Sequence, residues 1–240
     1  MTTTLDVTHG TLLDGRIQYA QHRQGYRTGI EPVLLAASIP ARPSDRVLEA
    51  GCGAAAALLC LLWRIPGLVA TGIEIDPETA ALARANLQSN HHSATIETSD
   101  VTRIPLPTFD HVFANPPWHA PAATNPPHAR RALATHGDAL SSWITALAVA
   151  VAPGGTLTLV IPAAQAPAAA ALLDAAGLGQ AVLLPLAPKL GRPAKLALLQ
   201  ARHGPTRVTH HTPLILHTPE GPYTPEVQAI LRTGAPLPIP

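Results

Sequence analysis

Strand-like and helix-like segments alternate from Arg46 onward, and this order constrains the fold more than any other feature of the chain. The strand-like segments are short and apolar, and the segments between them have helical length and are rich in Ala and Leu. Apolar strands separated by helices form parallel sheets that are covered by helices on both faces. The pattern therefore predicts an α/β fold with strands at residues 46–50, 69–75, 95–98, 109–114 and 156–161, and helices at residues 54–63, 77–88, 139–152 and 164–176.

Both ends of the chain add smaller predicted elements to this core. Asp14-Gly15 is typical of a tight hairpin turn, and Pro32 suits the first turn of a short helix at residues 33–39. Towards the other end we expect an antiparallel closing pair, an edge strand and a last helix, at residues 181–186 with 196–201, 214–217 and 225–231. We divide the chain into an N-terminal hairpin segment, residues 1–45, and a main domain, residues 46–240.

Composition excludes several classes of protein. Hydrophobic residues make up 47% of the chain and charged residues 13%, which argues against intrinsic disorder. The net charge of +1 means that any nucleic-acid contact must be a local patch. Cys52 and Cys60 indicate reduced core residues, and the 12 histidines show no ligand spacing, so we expect no structural metal. Polar residues or Gly and Pro interrupt each apolar run before the length of a membrane span, which predicts a cytoplasmic protein.

The first chemical motif is Glu49-Ala50-Gly51-Cys52-Gly53, where a buried strand runs into a glycine-rich turn and then a helix. A backbone without Cβ lets a ligand approach closely, and the free N–H groups at a helix start favour an anion. That anion is the carboxylate of S-adenosylmethionine or the pyrophosphate of a dinucleotide, although Ala55 and Ala56 stand where a third glycine would be. Alone, the motif is equally compatible with a plain strand-to-helix turn.

Acidic residues follow the next two predicted strands. Glu74 can accept hydrogen bonds from both hydroxyls of a cofactor ribose, whereas Asp76-Pro77 is better suited to beginning a helix. Asp100 can accept from the amino group of a cofactor adenine, with a solvated loop acid as the equally plausible alternative. Ligands of open α/β sheets bind at the carboxyl ends of the strands, so the three signals support one another.

The segment that distinguishes between cofactors is Asn115-Pro116-Pro117-Trp118, directly after an apolar strand. The Asn115 amide oxygen and the Pro116 carbonyl can both accept from one exocyclic amino group, while Pro117 restrains that carbonyl and Trp118 offers a stacking face. Two acceptors favour the pyramidal, partly positive nitrogen of the transition state over the flat ground state. The motif therefore predicts methyl transfer to a planar amine without a metal or a strong base. A second copy, 125–127, lacks a preceding strand and is interpreted as a turn.

In these residues the chain resembles the class I methyltransferases with an Asn-Pro-Pro-aromatic motif. More narrowly, it is similar to bacterial tRNA adenine-N6 methyltransferases that modify the adenine beside the anticodon of a valine tRNA. The similarity covers nearly the whole chain, including residues 21–36, 49–53, 72–75, 115–118, 153–155 and 191–195. It departs from the family at Ala55, in place of a usual glycine, and at Trp118, in place of a more common Tyr.

The resemblance implies a Rossmann-like, mostly parallel seven-stranded sheet with an antiparallel closing strand. It also implies S-adenosylmethionine as the donor and adenine N6 in tRNA as the acceptor. The implied catalytic residues are Asn115, Pro116, Pro117 and Trp118, and the implied cofactor-binding residues are Glu49, Gly51, Gly53, Glu74, Asp100 and Tyr26. Tyr26 and the helix after it are predicted to cover the methionine end of the cofactor, with a simple packed arm as the alternative.

Other functions stay open at this stage. A protein glutamine-N5 methyltransferase uses the same type of amide-binding site, but only about 45 residues precede the first predicted sheet strand. A DNA or rRNA base methyltransferase fits the same chemistry, and a non-catalytic cofactor-binding protein fits a decayed turn at Ala55. A nicotinamide oxidoreductase would leave the Asn115 motif without a role. The predicted RNA phosphate contacts are Arg23, Arg27, Arg130, Arg131, Lys189, Arg192 and Lys195.

Overall fold

A mixed nine-stranded sheet forms the centre of the protein in our computed structural model, which describes residues 6–24, 27–116 and 138–239. A separate two-stranded hairpin precedes it. In chain order the elements are β1 (Val7–Leu12), β2 (Ile17–His22), α1 (Glu31–Ser38), β3 (Arg46–Ala50), α2 (Ala56–Arg64), β4 (Val69–Glu74), α3 (Pro77–Ser89), β5 (Thr95–Thr98), β6 (Phe109–Ala114), α4 (Asp138–Ala148), β7 (Val151–Pro162), a 3₁₀ turn (Ala163–Gln165), α5 (Ala166–Ala175), β8 (Leu178–Ala187), β9 (Leu196–Arg202), β10 (Gly204–His210), β11 (Leu214–Ile215) and α6 (Pro225–Thr233).

The strand order is β5-β4-β3-β6-β7-β9-β8-β10, and β11 lies beside the end of β8. Strand β9 is antiparallel to both of its neighbours, β7 and β8, and the other pairings are parallel. The predicted α/β fold and its antiparallel closing strand are confirmed. The predicted number of seven strands is too low, because β10 and β11 extend the sheet beyond β8.

Helices cover both faces of the sheet, as predicted. Successive residues of one strand point to opposite faces, so Val47 packs in the core formed with α1, α2, α3 and α6, whereas Leu48 packs in the core formed with α4 and α5. Phe113 and Val112 divide between the two cores in the same way. Cys60 lies in the first core as a free thiol, as does Cys52, which agrees with their prediction as reduced core residues.

A buried amide is among the groups that connect the N-terminal hairpin to the main domain. Asn86 of α3 is 3% exposed, and its side chain accepts from the Ala20 N–H at 2.9 Å and donates to the carbonyls of Ala20 and Ala54. Ala54 directly follows the glycine turn after β3. Because a buried amide needs its partners, Asn86 links strand β2 to that turn. The division of the chain at residue 45 stays a prediction.

The predicted boundary between α4 and β7 is wrong. The helix ends at Ala148 rather than at residue 152, and β7 begins at Val151 rather than at residue 156. The register of β6 and β7 shifts between Val151 and Thr156, where the chain bulges through Pro153-Gly154-Gly155. A Cβ on Gly155 would lie 2.4 Å from the Asp110 carbonyl oxygen, so only glycine allows this approach.

Among the described residues, no helix combines the length and the apolar character needed to cross a membrane.

Candidate active site

Three predicted site segments follow three adjacent parallel strands. Ala50 at the end of β3 pairs with Ile73 near the end of β4 and with Ala114 at the end of β6. The residues that come next, Gly51 and Asn115, therefore leave the sheet side by side, and Glu74 stands at the same edge. The structure thus brings together the glycine turn, the predicted ribose acceptor and the start of the Asn-Pro-Pro-Trp motif.

The glycine turn uses left-handed backbone conformations at alternate positions. Gly51 has a φ of 64°, Gly53 of 55° and Ala55 of 67°, and the Cys52 N–H donates to the Ile73 carbonyl at 2.9 Å. For a residue with a Cβ the left-handed region costs about 1–2 kcal/mol. This cost explains why glycine is usual at the position of Ala55, which nevertheless keeps the turn and begins α2.

Glu49, the residue two before Gly51, is buried. The residue is 5% exposed, and its carboxyl accepts from the Leu58 N–H at 2.8 Å, in the first turn of α2. The N-cap residue Ala55 has no side chain that can do this, so Glu49 caps the helix from the end of β3. Burial raises the pKa of Glu49 to about 8, the Leu58 N–H opposes this, and Glu74 adds a smaller upward contribution. Glu49 is therefore mainly protonated at neutral pH, and its predicted cofactor contact stays a prediction.

Glu74 joins the glycine turn to the end of β4. One carboxylate oxygen accepts from the Gly53 N–H at 2.9 Å, and the other accepts from the Asp76 N–H at 2.9 Å. Each carboxylate oxygen has a second lone pair, so Glu74 can still accept from hydroxyl groups. Asp76 instead accepts from the Thr79 backbone N–H and hydroxyl, which confirms its predicted role at the start of α3.

Asp100 follows β5, two strands away from the glycine turn along the sheet. One of its oxygens accepts from the Thr102 N–H at 3.0 Å and from the Thr102 hydroxyl at 2.7 Å, and the other lies 3.3 Å from the Arg103 guanidinium. These contacts hold the loop after β5 in a tight turn. The predicted contact of Asp100 with a cofactor adenine is not tested by them.

The structure describes the first half of the Asn-Pro-Pro-Trp motif. Asn115 is half-buried and Pro116 is buried, directly after the fully buried Ala114. Pro117 and Trp118 lie outside the described residues, as does Tyr26. Their predicted roles in substrate and cofactor binding stay predictions.

Trp143 of α4 is a site residue that the motifs did not indicate. A Cβ on Gly51 would lie 2.7 Å from the indole Cη2 of Trp143. The half-buried indole, which also packs against the core of α4 and α5, therefore forms a wall beside the glycine turn. It is one of three tryptophans in a chain with only 3% aromatic residues, and this rarity is the one sequence signal that could have singled it out.

Metal ligands do not converge at this edge. Across residues 6–24, 27–116 and 138–239, no group of three or more His, Cys, Asp or Glu side chains has the arrangement to hold a metal ion. The polar groups of the described site are instead backbone amides, the carboxyls of Glu49, Glu74 and Asp100, and the amide of Asn115.

Comparison with known families agrees with this arrangement. The methyltransferase small domain family matches residues 30–177, which is more than half of the chain and includes Gly51, Glu74 and Asn115. The chain belongs to this family. The prediction that it is a methyltransferase is thereby confirmed, and the edge formed by Gly51, Glu74 and Asn115 is the candidate active site of a methyltransferase small domain.

Similar proteins cover nearly all of this methyltransferase. The tRNA1(Val) (adenine(37)-N6)-methyltransferase of Tolumonas auensis is 26% identical over 215 residues, which is 88% of this chain and 90% of that protein. The protein of the same name from Aeromonas hydrophila subsp. hydrophila is 26% identical over 207 residues, covering 84% and 87% of the two chains. The crystal structure of a predicted O-methyltransferase from Agrobacterium tumefaciens superposes with a TM-score of 0.71 at 25% identity, over 86% of this chain and 98% of that one.

Proposed function

We propose that this methyltransferase transfers the methyl group of S-adenosylmethionine to the exocyclic N6 of an adenine in tRNA, with adenine-37 of a valine tRNA as the expected position. The observation that carries the proposal is the pairing of Ala50 with Ala114, because it sets the glycine turn beside Asn115. A cofactor-binding turn and an amine-binding motif then share one edge of the sheet. The tRNA1(Val) methyltransferases that are similar over most of the chain support the choice of adenine and of tRNA.

The residues of the site fit S-adenosylmethionine. Gly51 and Gly53 leave the backbone of the turn open, and the N–H groups at the start of α2 suit the carboxylate of the methionine part. Glu74, held by the Gly53 and Asp76 N–H groups, has lone pairs left for the ribose hydroxyls. When bound, S-adenosylmethionine supplies an electrophilic methyl group on a sulfonium.

Asn115 and Pro116 are proposed to bind the acceptor amine. An aryl amine is a weak nucleophile because its lone pair is delocalised into the ring. The Asn115 side-chain oxygen and the Pro116 carbonyl are proposed to accept its two hydrogens, which favours a pyramidal nitrogen with a localised lone pair. Because the buried Ala114 is fixed in the centre of the sheet, both acceptors start from a rigid strand end.

The proposed partner is tRNA, and a cytoplasmic location follows from that substrate. Trp118 is proposed to stack on the target base after it leaves the anticodon-loop stack, and Tyr26 is proposed to cover the cofactor. Asp100 is proposed to accept from the adenine amino group of the cofactor. Glu49 is proposed to contribute to cofactor binding, and its hydrogen bond to the Leu58 N–H positions α2 for this.

The test compares acceptors directly. The purified protein is incubated with methyl-labelled S-adenosylmethionine and either total tRNA or total protein from cells that lack its gene. The Asn115→Ala variant serves as the control for background transfer. We expect label in tRNA, N6-methyladenosine after nuclease digestion, and enrichment in valine tRNA captured by a complementary oligonucleotide.

Each other outcome contradicts the proposal in a recognisable way. Label in protein that hydrolyses to methylamine would identify glutamine-N5 as the acceptor. Ribose-methylated nucleosides would identify oxygen as the acceptor, the activity named for the neighbour from Agrobacterium tumefaciens. Binding of S-adenosylmethionine without transfer to either pool would indicate a cofactor-binding protein.

A further inference from the structure

The last third of the chain carries an unbalanced positive charge that the net charge of +1 conceals. No Asp or Glu occurs from residue 175 to residue 219, a stretch that contains five cations: Lys189, Arg192, Lys195, Arg202 and Arg207. Three of the five lie within the seven residues from Lys189 to Lys195. Two of these three, Lys189 and Lys195, are the only lysines in the chain.

Topology places this cluster at the edge of the sheet that bears the active site. Residues 188–195, here called the β8–β9 loop, follow Ala187 at the end of β8 and precede Leu196 at the start of β9. Leu196 pairs with Pro162, the last residue of β7, and β7 lies beside β6 in the parallel direction. The loop therefore leaves the sheet at the carboxyl ends of β6 and β7, as Asn115 does.

The β8–β9 loop borders a shallow concave surface that is open to solvent. A cleft of 420 Å³ is lined by Pro188, Lys189, Arg192, Pro193, Ala194 and Lys195. The three cationic side chains are exposed, and proline and alanine supply the apolar walls. A groove with cations at its rim and apolar walls suits a nucleic-acid backbone, whose phosphates contact the rim while a sugar or base contacts the wall.

Several hydrogen bonds hold the loop in this shape. The Ala163 N–H donates to the Lys195 carbonyl at 3.0 Å, and the Arg192 N–H donates to the Lys189 carbonyl at 3.0 Å. The Pro188 carbonyl accepts from the His217 N–H, also at 3.0 Å. The loop is thus fixed before a ligand arrives, so less conformational entropy is lost on binding.

Acidic groups around the loop are few. Asp174 and Glu220 flank the acid-free stretch, and Glu220 interacts with Lys189. The backbone N–H of Glu220 and the Thr218 hydroxyl lower the pKa of Glu220, with a smaller contribution from Lys189. The Lys189 ammonium itself donates to the Pro219 carbonyl at 2.9 Å, which holds it beside the cleft without neutralising it. Arg192 and Lys195 form no ion pair among the described residues.

We propose that the β8–β9 loop is the docking surface for the phosphate backbone of the tRNA, next to the nucleotide that is methylated. This inference rests on the proposed function, because it assumes that the substrate is RNA. A cluster of exposed cations that outnumbers its acidic neighbour Glu220 suits phosphates, whose binding releases condensed counterions. A protein substrate would instead need acidic side chains of its own to contact these cations.

The first test uses the two lysines as reporters. Because the chain has no other lysine, an amine-acylating reagent followed by peptide mass spectrometry measures the side chains of this loop selectively. Saturating tRNA is expected to lower the acylation of Lys189 and Lys195 severalfold, and raising the salt concentration until tRNA dissociates is expected to restore it. Equal acylation with and without tRNA that the enzyme is shown to methylate would overturn the proposal.

The second test compares two pairs of substitutions that each remove two positive charges. The Lys189→Gln/Lys195→Gln pair changes the loop, and the Arg42→Gln/Arg207→Gln pair changes exposed cations towards the opposite edge of the sheet. Arg42 precedes the start of β3, and Arg207 pairs with Gln180 near the start of β8. Both variants have the same net charge, so a general effect of charge affects them equally.

The loop pair is expected to raise the KM for tRNA about tenfold. It is also expected to lower the slope of log KM against log salt concentration by roughly one to two. The affinity for S-adenosylmethionine, measured by calorimetry, is expected to equal that of the parent for both pairs. A KM for tRNA that rises equally in the two pairs would overturn the proposal. If the parent methylates protein rather than tRNA, the proposed function fails, and that result is distinct from an unprotected loop in an active tRNA methyltransferase.

Discussion

The indole of Trp143 occupies the space that a side chain on Gly51 would need: its Cη2 lies 2.7 Å from the position of a Cβ there. Gly51 also has a φ of 64°, which disfavours any residue with a Cβ. Two independent restrictions therefore act on the first glycine of the turn. The second glycine, Gly53, has a similar φ of 55°, but a Cβ there would meet no atom within 4 Å.

This difference makes Gly51→Ala and Gly53→Ala a matched pair. Both substitutions are expected to cost about 1–2 kcal/mol through the left-handed backbone. Gly51→Ala is expected to lower the free energy of unfolding by roughly a further 1–3 kcal/mol, because the indole must move. Chemical denaturation measures the free energy of unfolding of each variant, and calorimetry measures S-adenosylmethionine binding. In a double-mutant cycle, Trp143→Leu should recover part of the extra loss; equal losses at the two glycines would show that the indole does not restrict Gly51.

Asn115→Ala removes one of the two proposed acceptors for the substrate amine. We expect kcat to fall about 10²-fold, in the range observed when one preorganised polar group is removed from a transition-state site. The affinity for S-adenosylmethionine should stay near the parental value, because Glu74 and the glycine turn are unchanged. Steady-state methyl transfer and calorimetry check the two parts, and an unchanged kcat would remove Asn115 from the catalytic machinery.

Glu74→Ala removes a carboxylate that accepts from two backbone N–H groups and is proposed to bind the ribose. We expect the affinity for S-adenosylmethionine to fall roughly 10- to 100-fold, because hydrogen bonds to a charged group contribute about 1.5–3 kcal/mol. The control is Asp76→Ala, which removes the cap of α3 and should cost about 1 kcal/mol of stability. Calorimetry on both variants separates the roles, since Asp76→Ala should bind normally. Loss of affinity in both variants, or in neither, would contradict the ribose assignment.

The strands that the sequence predicted well are those with a strong local signal. Strands β3, β5 and β6 begin and end at the predicted residues because each is a short run of strand-favouring residues between turn-forming residues. Strand β10 was missed because all seven of its residues are exposed and show no apolar alternation. It exists through pairing with β8, which is a tertiary cause and leaves no local pattern.

The candidate site also contains residues that the sequence predicted and residues that it did not. Gly51, Glu74 and Asn115 could be predicted because each follows a recognisable strand, and the ends of parallel strands meet at one edge. The wall formed by Trp143 could not, because α4 reaches Gly51 across a distance of more than ninety residues in the chain. The cap that Glu49 provides for α2 also depends on folding, since its partner Leu58 belongs to the next element.

Glu49 makes the stability of the protein dependent on pH. Its carboxyl ionises near the ordinary value of 4.5 in the unfolded chain, but its pKa is raised to about 8 in the folded protein. Between these values the folded state holds a proton that the unfolded state has released. The contribution of Glu49 is therefore fully present below pH 4.5 and is lost as the pH rises towards 8.

Glu49→Gln removes this titration and keeps an oxygen that can accept from the Leu58 N–H. The variant should be more stable than the parent at pH 8, on the order of 1–4 kcal/mol, and the difference should shrink as the pH is lowered to 4.5. Urea denaturation of both proteins at several pH values gives this difference directly, and a difference independent of pH would contradict the buried, protonated carboxyl. Calorimetry on the same variant tests the predicted cofactor contact, because an ionised Glu49 that binds the cofactor cannot be replaced by an amide without loss of affinity.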